Sequence, residues 1–155
     1  PIVISVFRHR GARTTARSSR MHKAFSWQQR VYYQHTDAGG VVYHGRYLDF
    51  MECARTELLQ SLGFDLGELS RRDHVMFMVH SVQITYHKPA RLNDQLSVTA
   101  RVAHLGRARL VFEQRVRRDG AELASAEITL ACVDVRTQKA VGVPEAIRRK
   151  LEEVR

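Results

Sequence analysis

Cysteine, long apolar runs and acidic residues near the N-terminus are all scarce in this 155-residue sequence. The two cysteines, Cys53 and Cys132, fall in a predicted helix and a predicted strand, so we expect small core residues of a reducing compartment rather than a disulfide framework. The longest apolar runs, over residues 2–7 and 75–79, are far shorter than the roughly 20 residues of a membrane-spanning helix. The sequence therefore predicts neither a disulfide-stapled miniprotein nor a transmembrane segment.

Nucleic-acid binding has little support, because no stripe of Arg and Lys is interleaved with aromatic residues. The formal net charge is +9, but the first twenty residues hold five arginines and no acid, which leaves +4 for the remainder. A modest basic excess suits a ligand that bears phosphates, and it is also common in proteins that bind none. We expect no nucleic-acid partner.

Residues 1–20 differ from the rest of the chain, since they lack hydrophobic periodicity and are rich in Arg, Ser and Thr. A transit peptide has this composition, but a disordered tail or an extension upstream of Met21 is the simpler explanation, and we favour it. The whole sequence is 44% hydrophobic and 26% charged, which is ordinary for a globular protein. We therefore predict a flexible basic extension over residues 1–20 and a single domain over residues 21–155.

One stretch combines the end of a strand, a turn and the start of a helix around a single carboxylate, Asp37. Alternating apolar residues predict a strand over residues 24–33, which would point Tyr33 to the buried side. Gly39 and Gly40 follow Asp37 and permit a tight turn or close ligand approach. A carboxylate that faces the amide-rich start of a helix suits attack on a polarised carbonyl, although Asp is also a common turn or cap residue.

The helix that follows is predicted to begin near His44 or Gly45 and to end at Gly63. Its apolar residues recur at steps of three or four, and its polar residues occupy the other face, namely Asp49, Glu52, Arg55, Thr56 and Gln60. Four alternating strands follow over residues 75–135, with Asp119-Gly120 as a hairpin turn, and Pro144 begins a short C-terminal helix. Strands gathered after one long helix predict an α+β fold, with an antiparallel sheet against that helix.

The stretch Val31-Tyr-Tyr-Gln-His-Thr-Asp-Ala-Gly-Gly-Val-Val-Tyr-His-Gly-Arg-Tyr-Leu resembles the signature of hotdog-fold thioesterases of the 4-hydroxybenzoyl-CoA thioesterase type, in their YbgC branch. Three later segments also resemble that branch: Ala54-Arg-Thr-Glu, Tyr86-His-Lys-Pro-Ala-Arg-Leu-Asn-Asp and Leu110-Val-Phe-Glu-Gln-Arg-Val. The resemblance implies a curved antiparallel sheet wrapped around a central helix, and active sites at the interface of a homodimer or homotetramer. It also implies a bacterial cytoplasmic enzyme associated with the Tol–Pal envelope system.

The resemblance assigns the catalytic carboxylate to Asp37, the carbonyl-polarising amide to His44 and an accompanying hydroxyl to Tyr33. This chain departs from its relatives at Gln34, His35 and Arg46. Substrate contacts are expected from two groups of residues. The first is Val42, Tyr43 and Arg46, and the second is a set of basic residues at strand ends or turns, Lys88, Arg91, Arg107 and Arg109, which could equally be solvated loop charges.

The predicted reaction is hydrolysis of an acyl-CoA thioester to a carboxylic acid and coenzyme A, with no cofactor. Asp37 could act as nucleophile or as general base, and the sequence does not separate these roles. The alternatives are an acyl-carrier-protein thioesterase and a non-catalytic acyl-CoA-binding or envelope interaction module. Dehydration of a hydroxyacyl thioester would need a different helix motif. A metal site of His35, Asp37 and His44 would need the strand to persist through the glycine turn, so we predict none.

Overall fold

The computed structural model describes residues 24–155, so the extension predicted for residues 1–20 lies outside the described residues. The elements in chain order are β1 (Phe25–Arg30), α1 (Arg46–Ser61), α2 (Leu66–Glu68), β2 (Val75–Tyr86), β3 (Gln95–Leu105), β4 (Arg109–Arg118), β5 (Ala121–Asp134) and α3 (Glu145–Glu153). A single π-helical turn, Leu69–Asp73, joins α2 to β2. One long helix followed by four strands is the order that the sequence predicts.

The strands form one antiparallel sheet in the order β1-β3-β4-β5-β2, so β1 and β2 are its two edges. The hairpin between β4 and β5 turns at Asp119 and Gly120, whose φ angles are +50° and +79°. Positive φ at both central positions is the geometry of a type I′ turn, which matches the twist of the flanking strands. The sheet packs against α1, and the predicted α+β fold is confirmed.

Helix α1 buries one side against β1, β3 and β4. The predicted apolar face is confirmed in its main part, and the buried side chains are Tyr47, Phe50, Met51, Ala54, Leu58 and Leu59. Two assignments on this helix are wrong. Arg55, assigned to the polar face, is 7% exposed and binds Gln114 of β4, whereas Cys53, assigned to the core, is exposed beside Glu52. Cys132 is buried in β5 as expected.

The first strand ends three residues earlier than its alternating pattern predicts, at Arg30. Beyond it, Val31 exchanges backbone hydrogen bonds with the β2–β3 connection, and Tyr33–His35 form a 3₁₀ turn. That turn breaks the two-residue period, so His35 is buried although Tyr33, two residues earlier, is 82% exposed. The prediction that Tyr33 points to the buried side is therefore wrong.

Candidate active site

Asp37 lies in a narrow loop that immediately precedes the start of α1. An isolated bridge pairs Thr36 with Val42, and inside it the Asp37 amide donates to the Val41 carbonyl at 3.0 Å. Gly40 closes the loop with a φ of +71°, a backbone conformation that glycine adopts at no steric cost. The loop is thus held by hydrogen bonds between its own backbone groups, and the Asp37 side chain takes no part in the bridge between Thr36 and Val42.

The Asp37 carboxylate is exposed, and its Oδ1 accepts a hydrogen bond of 2.8 Å from the Gly39 amide. This contact orients the carboxylate, because Oδ1 is fixed by the backbone two residues ahead. Among the residues that the structure describes, no cation forms an ion pair with Asp37. Its second oxygen therefore remains available to a substrate or a water molecule.

His35 anchors this loop from beneath. Its Nδ1 accepts a hydrogen bond of 3.0 Å from the Tyr32 amide, and its carbonyl accepts another of 2.9 Å from Tyr43. The ring packs edge-on against Phe50, with centroids 5.0 Å apart. Burial lowers the pKa of His35, and the nearby Arg46 lowers it further. A neutral imidazole suits an Nδ1 that accepts a hydrogen bond, so His35 helps to hold the loop in place.

The start of α1 presents free backbone amides. Gly45 is the N-cap residue, and the Arg46 amide donates to the Tyr43 carbonyl at 2.9 Å. Within residues 24–155, neither the His44 amide nor the Gly45 amide donates a hydrogen bond to another protein group. These N–H groups lie at the positive end of a 16-residue helix, where developing negative charge is favoured.

A cleft of ≈ 310 Å³ opens beside His44, between the start of α1 and the end of β2. The Tyr86 hydroxyl donates to the His44 carbonyl at 2.9 Å, and the Tyr86 ring meets the Tyr47 ring edge-on at 5.4 Å. Ala90, which follows the cleft residues Lys88 and Pro89, is hydrogen-bonded to two residues of the opposite wall. Its amide donates to the Tyr47 hydroxyl at 2.9 Å, and its carbonyl accepts from the Val42 amide at 2.8 Å. The lining residues are Val42, His44, Tyr47, Tyr86, His87, Lys88 and Pro89.

Comparison with known families assigns a class to this arrangement. The family described as the thioesterase-like superfamily matches residues 31–151, which include both the Asp37 loop and α1. The chain belongs to this superfamily. Acyl-CoA thioesterase YbgC of Haemophilus influenzae is 41% identical over 128 residues, which cover 83% of this chain and 94% of that relative. Long-chain acyl-CoA thioesterase FadM of Escherichia coli is 32% identical and covers 77% of this chain and 91% of its own length.

Solved structures of this superfamily share the fold. The probable thioesterase from Bartonella henselae superposes with a TM-score of 0.76 and 31% identity, covering 79% of this chain and all of its own. The probable thioesterase YbaW from Escherichia coli gives a TM-score of 0.71 and 31% identity, covering 84% of this chain and 98% of its own. These similarities confirm the predicted hotdog fold and the predicted thioesterase family.

The structure brings only part of the predicted thioesterase site together within one chain. Val42, His44 and Lys88 share the cleft beside α1, whereas Arg107 and Arg109 line a second cleft of ≈ 490 Å³ at the β3–β4 turn. Neither cleft is lined by the remaining site residues, which are Tyr33, Asp37, Tyr43, Arg46 and Arg91. All five are exposed, and of their side chains Tyr43 packs at a tilt against the His44 ring, with centroids 4.3 Å apart, while Arg46 pairs with Asp49 at 2.9 Å.

Three cleft residues, Tyr47, Tyr86 and His87, carry no role in the sequence-based prediction. Tyr86 and His87 directly precede Lys88 at the end of β2, so their position next to a predicted phosphate-binding lysine was a usable signal. His87 is held at the cleft mouth by Ser125, whose Oγ lies 2.9 Å from Nε2, and by Glu122 at 3.4 Å. Tyr47 was assigned to the core because helical spacing does not distinguish a core tyrosine from one whose ring also walls a cleft.

Two further features of the described chain bear on the class of protein. Among residues 24–155, no group of three or more His, Cys, Asp or Glu side chains is arranged to hold a metal ion. Over the same residues, no helix has the length and apolar character needed to cross a membrane.

Proposed function

We propose that this protein hydrolyses acyl-CoA thioesters to a free carboxylic acid and coenzyme A. The observation that carries the proposal is the free His44 amide at the start of α1, directly after the loop that holds the exposed Asp37 carboxylate. Relatives named acyl-CoA thioesterase YbgC and long-chain acyl-CoA thioesterase FadM, at 41% and 32% identity, support the same activity. Both groups that thioester hydrolysis needs, an oxygen that attacks and a donor that polarises the carbonyl, are present.

In the proposed reaction the thioester oxygen accepts a hydrogen bond from the His44 amide, which stabilises the negative charge that develops on that oxygen. One such donor is worth roughly 3 kcal/mol of transition-state stabilisation. Asp37 supplies the attack in one of two ways. Its carboxylate attacks the carbonyl carbon and forms a mixed anhydride that water then cleaves, or it takes a proton from a water molecule that attacks. In both, the carbon–sulfur bond breaks and the coenzyme A thiolate leaves and is protonated.

The side chains around this pair serve substrate binding in the proposal. The exposed His44 ring lies between Tyr43, tilted against it at 4.3 Å, and Tyr86, edge-on at 6.4 Å, where it can protonate the departing thiolate. The Tyr33 hydroxyl is exposed in the 3₁₀ turn that precedes the Asp37 loop. Lys88 at the cleft mouth contacts the phosphates of coenzyme A. Arg46, Arg91, Arg107 and Arg109 add positive charge around the entrance in the assembled protein.

We infer that the working unit is a homodimer or a pair of homodimers. Edge strand β2 carries exposed apolar side chains directly before a bulge, with Met78 46% and Val79 55% exposed. An edge strand of this kind can pair with the same strand of a second copy and continue the sheet. The two clefts and the exposed Asp37 loop would then meet residues of the partner, which accounts for a site that one chain leaves open.

The cysteines of the chain bear on the compartment in which the protein works. Free cysteines Cys53 and Cys132 suit the reducing bacterial cytoplasm, which is where acyl-CoA is the expected substrate. An acyl-carrier protein could present the same thioester, and the resemblance of the stretch around Asp37 to the YbgC branch is the ground for proposing a place beside the Tol–Pal system. Neither partner changes the chemistry that Asp37 and His44 perform.

The test is thiol release from purified protein over short, long, branched and aromatic acyl-CoAs. We expect release from at least one of these classes, and comparison of the best acyl chain on coenzyme A with the same chain on acyl-carrier protein identifies the carrier. Binding of acyl-CoA at equilibrium with no thiol release from any class would refute the enzymatic proposal and favour an acyl-CoA-binding module. After a single turnover in ¹⁸O-water, ¹⁸O found in the Asp37 carboxylate identifies the anhydride route, because the general-base route places the label only in the released acid.

A further inference from the structure

Tyr86 ends the edge strand β2 and reaches across the cleft to the start of α1. Its hydroxyl donates to the His44 carbonyl at 2.9 Å. Its ring is held between two others, edge-on to Tyr47 at 5.4 Å and edge-on to His44 at 6.4 Å. Tyr47 is itself fixed by the hydrogen bond from the Ala90 amide. The Tyr86 hydroxyl is therefore directed at one carbonyl by a braced aromatic cluster.

That carbonyl belongs to the peptide group whose N–H is the Gly45 amide. In a trans peptide the C=O and the N–H point in opposite directions, and no peptide bond in residues 24–155 is cis. The Gly45 N–H therefore points away from Tyr86. The peptide group between Tyr43 and His44 is also trans. Its carbonyl accepts from the Arg46 amide of the helix, so its N–H, that of His44, points away from the helix. The His44 and Gly45 N–H groups are therefore both free to donate to a ligand.

We propose that Tyr86 is a positioning residue for the carbonyl-binding amides, a role that rests on the proposed thioesterase function. By holding the His44 carbonyl, Tyr86 fixes the peptide between His44 and Gly45, so that the Gly45 N–H joins the His44 N–H in binding the thioester oxygen. A hydrogen bond accepted by a carbonyl also polarises its peptide group and strengthens the N–H donor at the other end. Tyr86 thus acts on the reacting oxygen through Gly45 without touching it.

Two observations on the cleft support this role. Burial raises the pKa of Tyr86, which keeps the hydroxyl protonated, and so a donor, through neutral and moderately alkaline pH. Gly45 has an ordinary helical conformation, with φ −65° and ψ −26°, and so is not required for backbone reasons. A Cβ there would lie 3.0 Å from the exposed Tyr43 ring, so a side chain at position 45 would crowd that ring.

Tyr86→Phe tests the proposal, because it removes the hydroxyl and keeps the ring. We expect kcat to fall roughly three- to tenfold, the range of one neutral hydrogen bond, with KM changed by less than about twofold. A CoA ketone in which CH₂ replaces the thioester sulfur retains the carbonyl and is not hydrolysed. Its C=O stretch should shift to lower frequency on binding, and the shift should be smaller in Tyr86→Phe. Tyr32→Phe, which removes another exposed tyrosine hydroxyl, should match the parent in every measurement.

Three results would overturn the role. The first is a Tyr86→Phe variant with unchanged kcat and an unchanged carbonyl shift. The second is a loss confined to KM and shared by an S-alkyl-CoA thioether that lacks the carbonyl, which would make Tyr86 a cleft wall only. If Tyr86→Phe does not fold, 3-fluorotyrosine at position 86 replaces it. The fluorinated hydroxyl is a stronger donor and should enlarge the shift of the ketone's C=O stretch. An unchanged shift in that variant is the third overturning result. The ketone measurement needs no turnover, so a parent protein that hydrolyses nothing would refute the proposed function and leave this test intact.

Discussion

The Asp37 carboxylate is fixed by the Gly39 amide, which donates to its Oδ1 at 2.8 Å. Asparagine keeps an oxygen that can accept this bond and loses the negative charge. We therefore expect Asp37→Asn to fold normally and to lower kcat by about three orders of magnitude or more, because an amide neither attacks a thioester nor takes a proton from water. Thiol-release kinetics and thermal unfolding measure the two effects.

Asp65→Asn is the matched control for that variant. Asp65 Oδ1 accepts from the Glu68 amide at 2.8 Å, so this carboxylate makes the same kind of local contact at the start of α2. We expect full activity from Asp65→Asn. If Asp37→Asn also kept full activity, the carboxylate would be a turn residue and the proposed mechanism would be wrong.

Gly39 gives a second test of how the carboxylate is placed. A Cβ at Gly39 would lie 3.0 Å from Asp37 Oδ1, so Gly39→Ala should push the carboxylate out of position. We expect kcat to fall by roughly 10- to 100-fold with little change in melting temperature, since a small misplacement of a reacting group is costly in rate. Gly67→Ala makes the same contact with Asp65 Oδ1 at 3.1 Å and should retain activity. Equal kinetics for the two variants would argue that the orientation of Asp37 is unimportant.

His35 makes the stability of the site depend on pH. Its pKa is lowered in the folded protein from an ordinary value of 6.5, mainly by burial. The unfolded chain therefore takes up the proton first as the pH falls. The stability that His35 contributes is complete above about pH 6.5 and is lost as the pH falls through the lower folded pKa. Urea unfolding at about pH 7.5 and about pH 5 should show this loss.

His35→Gln provides the comparison, because a glutamine oxygen can still accept from the Tyr32 amide and does not titrate. We expect this variant to lose less stability than the parent between the two pH values. The other histidines contribute equally to both proteins, so the difference between them reports on His35. Identical losses would show that protonation of His35 does not matter to folding.

The sequence predicted what depends on local patterns. The Asp119-Gly120 turn was predictable because two positive φ angles select such residues, and the buried face of α1 was predictable from its spacing. The site loop was predicted as a turn around Asp37 because glycines mark it. The hotdog fold itself came from the resemblance, since periodicity alone gave only a sheet against a helix.

What the sequence could not predict depends on contacts between distant parts of the chain. Val31 is drawn away from β1 by Asn93 and Asp94, which is why alternation misplaced Tyr33. The two walls of the cleft meet through two hydrogen bonds, from Ala90 to Tyr47 and from Tyr86 to His44. These partners lie 43 and 42 residues apart in the sequence. Arg55 was assigned to the surface because charge usually faces water, and only its partner 59 residues away makes it a core residue.

The Arg55–Gln114 contact should be a main support of α1 on the sheet. Arg55 Nη1 donates to Gln114 Oε1 at 2.7 Å, and Gln114 Nε2 donates to the Met51 carbonyl at 2.9 Å and the Thr99 carbonyl at 3.1 Å. Gln114→Leu removes all three bonds and leaves the buried guanidinium without this acceptor. We expect it to lower the free energy of unfolding by about 2–3 kcal/mol. In a double-mutant cycle with Arg55→Met, the two changes should couple by about 1–3 kcal/mol.

Arg101 and Glu113 supply the exposed comparison for that cycle. They form an ion pair at 2.5 Å between β3 and β4, with side chains 44% and 43% exposed. Solvent screening should hold their coupling below about 1 kcal/mol, so burial and not charge should decide which pair matters. Additive effects at Arg55 and Gln114 would mean that the buried contact does not support the helix.

The edge of β2 carries the proposed assembly, and Val79 is its most exposed apolar side chain at 55%. Val79→Glu would place a charge within the proposed pairing of this strand with its own copy, and the two charges would repel where the two-fold axis lies near residue 79. We expect the variant to shift from dimer or tetramer toward monomer in light scattering coupled to size exclusion, and to lose activity in proportion. Leu92→Glu, which changes a 40% exposed apolar residue in the β2–β3 connection, should keep the parent's mass. A Val79→Glu protein with the parent's mass would place the interface elsewhere, whereas a fully active monomer would show that one chain holds the complete site.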